Sequence, residues 1–431
     1  LFLPDQLRQD WTGLNDNLSV DTPNIRALAG RGAELTGAVV ASPLCAPSRA
    51  ALASGKEYEH CGVRDNGQDY PLEQTTYYAL LRAAGYYVAG CGKFDLHKAS
   101  PAWGVDGKNG LDAWGFSNGV DNAGKRDAVA TGAERPRDPY MAFLHREGLA
   151  RLHVADFRRR RRYDATFPTP LPDEAYCDNW LAGQGLELLR RFPRHQPWHL
   201  VVNWVGPHEP MDITRMMEAS CRDRHFPQPN RCRAFDPETH VRIRQNYAAM
   251  VENIDRWVGL FLDAVQQRGE MDNTVVVFTS DHGEMLGDHN LWGKSCPFTP
   301  SVKVPLVVAA PGVRPGLRSD ALVSHIDIAA TFLDYAGVAK LPDMACRSLR
   351  PLLEGRTATH RDVVRSGLGA WRMVSDGRSK LVTGFDVERA IPRSRPDAGP
   401  ALFDLHADPH ENRNVAYEKP REVRRLLEWL R

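Results

Sequence analysis

Asp281-His282-Gly283-Glu284 sets a carboxylate beside an imidazole where the apolar run Thr274-Val275-Val276-Val277-Phe278-Thr279 ends. Such a pair at a strand end is a natural ligand set for a divalent cation. Taken alone, the same tetrapeptide also reads as a capping Asp with a solvated His. Asp5-Gln6 follows another apolar run, Leu1-Phe2-Leu3, and offers a second carboxylate with an amide oxygen; in isolation it is a simple turn. A third stretch, Cys45-Ala46-Pro47-Ser48-Arg49-Ala50-Ala51-Leu52-Ala53-Ser54-Gly55, places Pro, Arg, Leu and Gly at fixed offsets after a cysteine. The small residues from Ala50 to Gly55 suit a helix start packed tightly beneath it, and a buried structural cysteine before an ordinary helix has the same look.

The elements that must hold these residues recur as short apolar run, turn, amphipathic helix. Ala38-Val39-Val40 precedes the Cys45 loop and Tyr86-Tyr87-Val88-Ala89-Gly90 precedes Lys93. Trp198-His199-Leu200-Val201-Val202-Asn203-Trp204 runs into Gly206-Pro207-His208. Near-continuous apolar strands are what a sheet buried on both faces requires. Helical spacing is read over Asp173 to Phe192 and over Asn246 to Gln267. The alternation predicts an α/β fold, a large and mostly parallel sheet sandwiched by helices. Each candidate sits just after a strand's C-terminal end, the edge where open α/β sheets bind ligands.

From about residue 340 the pattern changes. Trp371 to Ser375, Asp376-Gly377 and Lys380 to Val382 read as a hairpin, Leu402 to Leu405 as another strand, and Glu418 to Arg431 as a closing helix. We expect a catalytic unit at 1–338 and a smaller C-terminal α+β subdomain with a small antiparallel sheet at 339–431. Residues 100–172, rich in Gly, Asp, Arg and Pro with weak periodicity, are expected to be an irregular insertion over the active-site edge. Arg158 to Arg162 is either a guide for a polyanion or a solvated face.

Composition narrows the classes. With 431 residues, 42% hydrophobic and 25% charged, the chain reads as an ordinary globular protein. Lys+Arg 55 against Asp+Glu 54 leaves a net charge of +1, so no global field selects nucleic acid or an anionic membrane. No apolar run approaches a membrane span. Leu1-Phe2-Leu3-Pro4-Asp5 has the look of a buried strand end, and the numbered chain is expected to start after the true beginning of the protein. Localisation is therefore open: periplasmic or secreted if a signal peptide precedes it, otherwise cytoplasmic. None of the eight cysteines forms a CxxC pair; Cys221 and Cys232 flank a polar loop, either bridged or reduced.

The Cys45–Gly55 run resembles the activation signature of the type I sulfatases, formylglycine-dependent enzymes of the alkaline-phosphatase-like superfamily. Asp5, Gln6, Asp281 and His282 together with Cys45 resemble that family's metal site. Gly85 to Lys93 followed by His97 resembles its second signature, and Gly206-Pro207-His208-Glu209-Pro210 its His-x-Pro loop. Asp327, Leu402-Phe403-Asp404-Leu405 and Asp408-Pro409 match structural landmarks, so the resemblance runs from Asp5 to about Asn414. It implies that Cys45 is oxidised to formylglycine, whose hydrate is the nucleophile, by a formylglycine-generating or anaerobic sulfatase-maturating enzyme. It implies Arg49, Lys93 and Lys294 as cations on the nucleophile and sulfate, His97 as the base that ejects sulfate, and His208 as the contact or acid at the leaving oxygen. Asn66 would support the hydrated aldehyde. The implied cofactor is Ca²⁺. Many members carry a second Asp where Gln6 stands and Asn where His282 stands, which makes Mg²⁺ or Mn²⁺ more credible.

The implied activity is removal of sulfate from an organic ester, a sulfated small molecule or glycan, with carbohydrate first. The alternative is a phosphonate monoester or phosphodiester hydrolase on the same scaffold, whose members also use Gln and His in the metal site. A polyanion-binding relative with an unmodified thiol, and a cysteine hydrolase, are further readings; the latter leaves Asp5 and the Asp281-His282 pair unexplained.

Overall fold

Leu1-Phe2-Leu3 enters the middle of the main sheet. Phe2 N donates to Val277 O at 2.8 Å and Leu3 N to Val202 O at 2.8 Å, which threads the segment between two later strands. The computed structural model describes residues 1–15, 17–387 and 398–430. Its strands are β1 (Ala33–Val39), β2 (Tyr87–Gly92), β3 (Asn118–Asp121), β4 (Trp198–Asn203), β5 (Val276–Thr279), β6 (Leu306–Ala309), β7 (Leu317–Ser324), β8 (Val364–Leu368), β9 (Trp371–Ser375), β10 (Ser379–Thr383) and β11 (Ala401–Asp404). The order across the main sheet is β3-β2-β4, the Phe2 segment, then β5-β6-β1-β7. Pairing is parallel at β2/β3, β2/β4 and β1/β7, while β6 runs antiparallel to both β5 and β1.

Alternate residues of the central strands feed two separate cores. Val201 and Val277 pack with the Cys45–Ser54 and Asp327–Tyr335 helices on one face. Val202, Val276 and Phe278 pack with the Cys177–Arg190 and Pro237–Gln267 helices on the other. Burial on both faces is why these strands read as unbroken apolar runs. The sandwich expected from the sequence is what forms.

The Pro237–Gln267 helix starts earlier than the expected Asn246. Asp236 caps it by accepting from Thr239 N at 2.9 Å, with Pro237 in the first helical position. Its first turns bury polar residues (His240, Arg244, Gln245, Asn246), so the apolar stripe alone starts too late. Residues 100–172 also differ from expectation. They hold β3 and the helices Gly124–Gly132, Pro139–Arg146 and Ala150–Arg159. β3 has the weak strand sequence Asn-Gly-Val-Asp and is specified by its pairing with β2 rather than by propensity. Within the arginine run, Arg160 is buried against Asp156 at 2.8 Å and lies over Phe167, so the run is not one solvated face.

β8 to β11 form a separate antiparallel sheet in the order β11-β10-β9-β8. The Pro420–Leu427 helix closes it, setting Val423 and Leu426 against Val374, Leu381 and Leu402. Arg431, the expected last residue of that closing helix, lies outside the described residues. All eight cysteines are free thiols, Cys221 and Cys232 included. Among the described residues no helix is long and apolar enough to cross a membrane.

Candidate active site

Four loops at one edge of the sheet bring their charges to one buried point. Asp5 leaves the central segment, Asp281 and His282 follow β5, Lys93 follows β2, and Cys45 is the first residue of the Cys45–Ser54 helix. Ligand atoms of Asp5, Cys45, Asp281 and His282 all lie within 4.8 Å of one another, and all four residues are buried. Cys45 Sγ is 3.2 Å from His282 Nε2 and 3.9 Å from Asp5 Oδ1.

Local backbone details fix these positions. Gly92 has φ +116°, and a Cβ there would stand 1.9 Å from Asn203 O, so only glycine lets β2 end against β4 and turn into Lys93. A Cβ on Gly283 would meet Pro300 O at 1.9 Å, where Gly283 N donates to Ser301 O at 2.9 Å. Asn66 Oδ1 accepts from Ala46 N at 3.0 Å and thereby caps the cysteine's helix from another segment. Asp178 Oδ1 accepts from Val205 N at 2.8 Å and Gly206 N at 3.0 Å, which sets the His208 loop.

Arg49 ties the two carboxylates together. Its Nε donates to Asp281 Oδ2 at 2.9 Å, its Nη2 stands 3.4 Å from Asp5 Oδ2, and its Nη1 donates to Lys93 O. Lys93 Nζ bonds Asp5 Oδ2 and lies 3.0 Å from Asp95 Oδ2. Burial alone would raise Asp5, but Lys93, His208, Arg49 and His282 outweigh it and hold the carboxyl well below its usual range. Burial and the Asp5 charge push Asp281 up against the pull of Arg49. Burial and Asp5 also oppose a thiolate at Cys45, yet Lys294, Lys93 and His282 hold its thiol well below the ordinary value. Two buried carboxylates, an imidazole and a sulfur, each with a ligand atom in this space, fit a divalent cation: two of the four residues give oxygen and the others nitrogen and sulfur.

Above this floor opens a cavity of about 230 Å³ lined by Cys45, Lys93, His208 and Lys294 below and by Asn66, Lys98, Arg126, Asp127 and Glu209 around it. Lys294 Nζ and His208 Nε2 are 2.6 Å apart, so one of them must accept and the pair shares a labile proton. His208 Nδ1 lies 3.0 Å from Glu209 Oε2. Burial disfavours the imidazolium, but Glu209 leads the opposing charges and the pKa of His208 is pushed up to about 9.

Ten of the eleven residues expected from the sequence therefore meet here: Asp5, Gln6, Cys45, Arg49, Asn66, Lys93, His208, Asp281, His282 and Lys294. His97 does not line the cavity. Its Nε2 lies 2.6 Å from Asp121 Oδ2 and its Nδ1 3.0 Å from Ser100 O, because β3 delivers Asp121 beside it. The carboxylate beside Lys93 is instead Asp95, two residues on and at φ +53°. Gln6 is present, but its carboxamide engages Lys294, Glu209 and Glu284. Tyr163 carried no signal that pattern reading could use; Glu209, Glu284 and Asp95 did, standing inside the His208, Asp281-His282 and Lys93 motifs.

The comparisons agree with this geometry. The Sulfatase family model matches residues 1–338, and one described as N-sulphoglucosamine sulphohydrolase, C-terminal, matches residues 287–428. The chain belongs to the sulfatase family. It is a sulfuric ester hydrolase of that family with a buried Asp/Cys/Asp/His cluster. It is 25% identical to an arylsulfatase of Clostridium perfringens over 457 residues, covering 100% of this chain and 92% of that protein. A choline-sulfatase of Rhizobium meliloti is 29% identical over 433 residues, covering 93% of this chain and 78% of that protein. Among solved structures, a phosphonate monoester hydrolase from Silicibacter pomeroyi shares the fold with a TM-score of 0.81 at 24% identity, covering 100% of this chain and 94% of that one.

Proposed function

We propose that this enzyme removes sulfate from a carbohydrate sulfate ester, using a formylglycine made from Cys45 and a divalent cation, Ca²⁺ first. The observation that carries the reading is the meeting of Asp5, Cys45, Asp281 and His282 within 4.8 Å, beneath a cavity lined by Lys93, His208 and Lys294. Asp5, Asp281, His282 and residue 45 would hold the cation, with the amide oxygen of Gln6 beside them. When bound, the cation supplies Lewis-acid charge for the sulfate oxygens, and formylglycine supplies a hydrated-aldehyde nucleophile.

The chain's own side chains do the remaining work. Lys93 and Lys294 neutralise non-bridging sulfate oxygens as the S–O bond breaks. Arg49 keeps the ligand carboxylates paired and in place. An alkoxide leaves poorly, so the proton shared by His208 and Lys294 passes to the departing oxygen. On the Lys93 side, Asp95 steadies the ammonium at 3.0 Å, and His97, held by Asp121, remains the base of this reading. The cavity wall supports a polyhydroxy leaving group, since Asn66, Lys98, Arg126, Asp127 and Glu209 mix donors and acceptors. In the same reading residues 1–338 are the catalytic unit and 339–431 the C-terminal subdomain.

The second reading, phosphonate monoester hydrolysis, is favoured by Gln6 and His282 beside the cluster. Lys93 in the cavity favours sulfate. Comparing kcat/KM for nitrophenyl sulfate with that for a phenylphosphonate monoester separates them, and we expect the sulfate to be preferred. Intact mass of the Cys45 peptide is the prior test. A peptide lighter than the thiol form is expected; an unmodified thiol in a fully active sample would end the formylglycine mechanism.

A further inference from the structure

Gln6 is fully buried, and both ends of its carboxamide are spoken for by ions. Its Nε2 donates to Glu209 Oε2 at 3.0 Å and to Glu284 Oε2, while its Oε1 accepts from Lys294 Nζ. Carboxylates only accept and an ammonium only donates, so one orientation satisfies every contact and the flipped one fails at both ends. Glu284 is itself locked. Its Oε1 accepts from Leu286 N at 2.9 Å and Gly293 N at 2.7 Å, and Tyr163 OH donates to its Oε2 at 3.3 Å. Meanwhile Gln6 N donates to Asp281 Oδ1 at 3.0 Å, so the residue sits directly on the cluster.

We propose that Glu284 is the positioning residue of the cation site: with Tyr163 it fixes the Gln6 carboxamide so that oxygen, and not nitrogen, is turned to Lys294 and the cluster. The inference rests on the cation reading above. Partners behind the ligands are what set ligand orientation and metal affinity in such sites. It also assigns a task to the 100–172 stretch, since Tyr163 arrives from there to press on Glu284, with its ring 4.6 Å from that of Trp292.

Glu284→Gln tests it. The two backbone donors would keep the new amide oxygen where Oε1 now lies, which turns its NH₂ toward Gln6 and favours the flipped Gln6. Ca²⁺ is titrated calorimetrically into chelator-treated protein, and the melting temperature of each metal-free variant is recorded. We expect Glu284→Gln to weaken Ca²⁺ by about 10–100-fold with the metal-free melting temperature unchanged. Tyr163→Phe should follow with a smaller loss. The exchange Gln6→Glu with Glu284→Gln again offers an oxygen to the cluster, though it faces Glu209 without a donor, and should regain part of the affinity. Wild-type Ca²⁺ affinity in Glu284→Gln overturns the proposal, as does a fall in melting temperature with affinity intact. If the unmutated enzyme binds neither Ca²⁺ nor Mn²⁺, the cation reading itself fails, a distinguishable result.

Discussion

The floor and the wall of the cavity differ in how far they are buried. The floor takes Asp5, Cys45, Arg49, Lys93, Asp281 and His282 from segments far apart in the chain, buries all of them, and cross-links each ion to at least one other. The wall draws Asn66, Lys98 and Glu209 from separate loops and Arg126 and Asp127 from the Gly124–Gly132 helix, and it grades outward to water, with Glu209 21% exposed, Asp127 37% and Arg126 60%. Removing one member of a buried charge network strands its partners, whereas exposed pairs contribute little. In the proposed function the floor carries the reaction and the wall selects among leaving groups.

Breaking the floor should have the largest effect. Asp281→Ala leaves Arg49 with Asp5 alone and removes a proposed ligand. We expect turnover of nitrophenyl sulfate to fall on the order of 10³-fold or more, with loss of bound metal by elemental analysis. Metal content at the wild-type level would move Asp281 out of the ligand set. The next effect separates two neighbours. His97→Asn, which removes the base, should lower kcat/KM by at least about tenfold more than Asp95→Asn, which frees Lys93 from one carboxylate. The reverse order would take His97 out of the chemistry. The smallest effect lies behind the wall. His153 is buried, its ring nitrogens have no hydrogen-bond partner among the described residues, and burial pushes its pKa down to about 4. The unfolded chain takes that proton near 6.5, so the stabilisation is complete above 6.5 and drains as pH falls toward 4. The cost is at most about 3 kcal/mol. His153→Phe should flatten the fall in melting temperature across that window, while His325 beneath the Cys45 helix, also near 4, stays titrating in both proteins. An unchanged slope would show that His153 is not among the acid-sensitive groups.

How legible each part was follows from the same contrast. Asp5, Cys45, Lys93 and Asp281 stand where unbroken apolar runs stop, and a sheet buried on both faces leaves that mark in any sequence. β3 leaves none, because four residues of Asn-Gly-Val-Asp become a strand only through the edge of β2. The start of the Pro237–Gln267 helix was hidden by buried polar residues, although Asp236-Pro237 was a readable cap. The pairing of His97 with Asp121 was not legible, because spacing from Lys93 says nothing about a carboxylate that reaches it from β3. Glu284 and Tyr163 act on a residue 278 and 157 positions away respectively, the former through a direct bond to Gln6 and the latter through both Glu284 and Glu209, and such a chain of contacts has no local pattern.

The segment carrying Asp5 can dock only when β4 and β5 already flank its slot, and Gln6 N finds Asp281 across 275 residues. Closing so long a loop comes late in assembly. A chain whose central slot is still empty holds Asp281 and His282 without their opposing carboxylate. If the proposed site takes up its cation, tight uptake would therefore report that this segment has been seated, a gauge of finished topology.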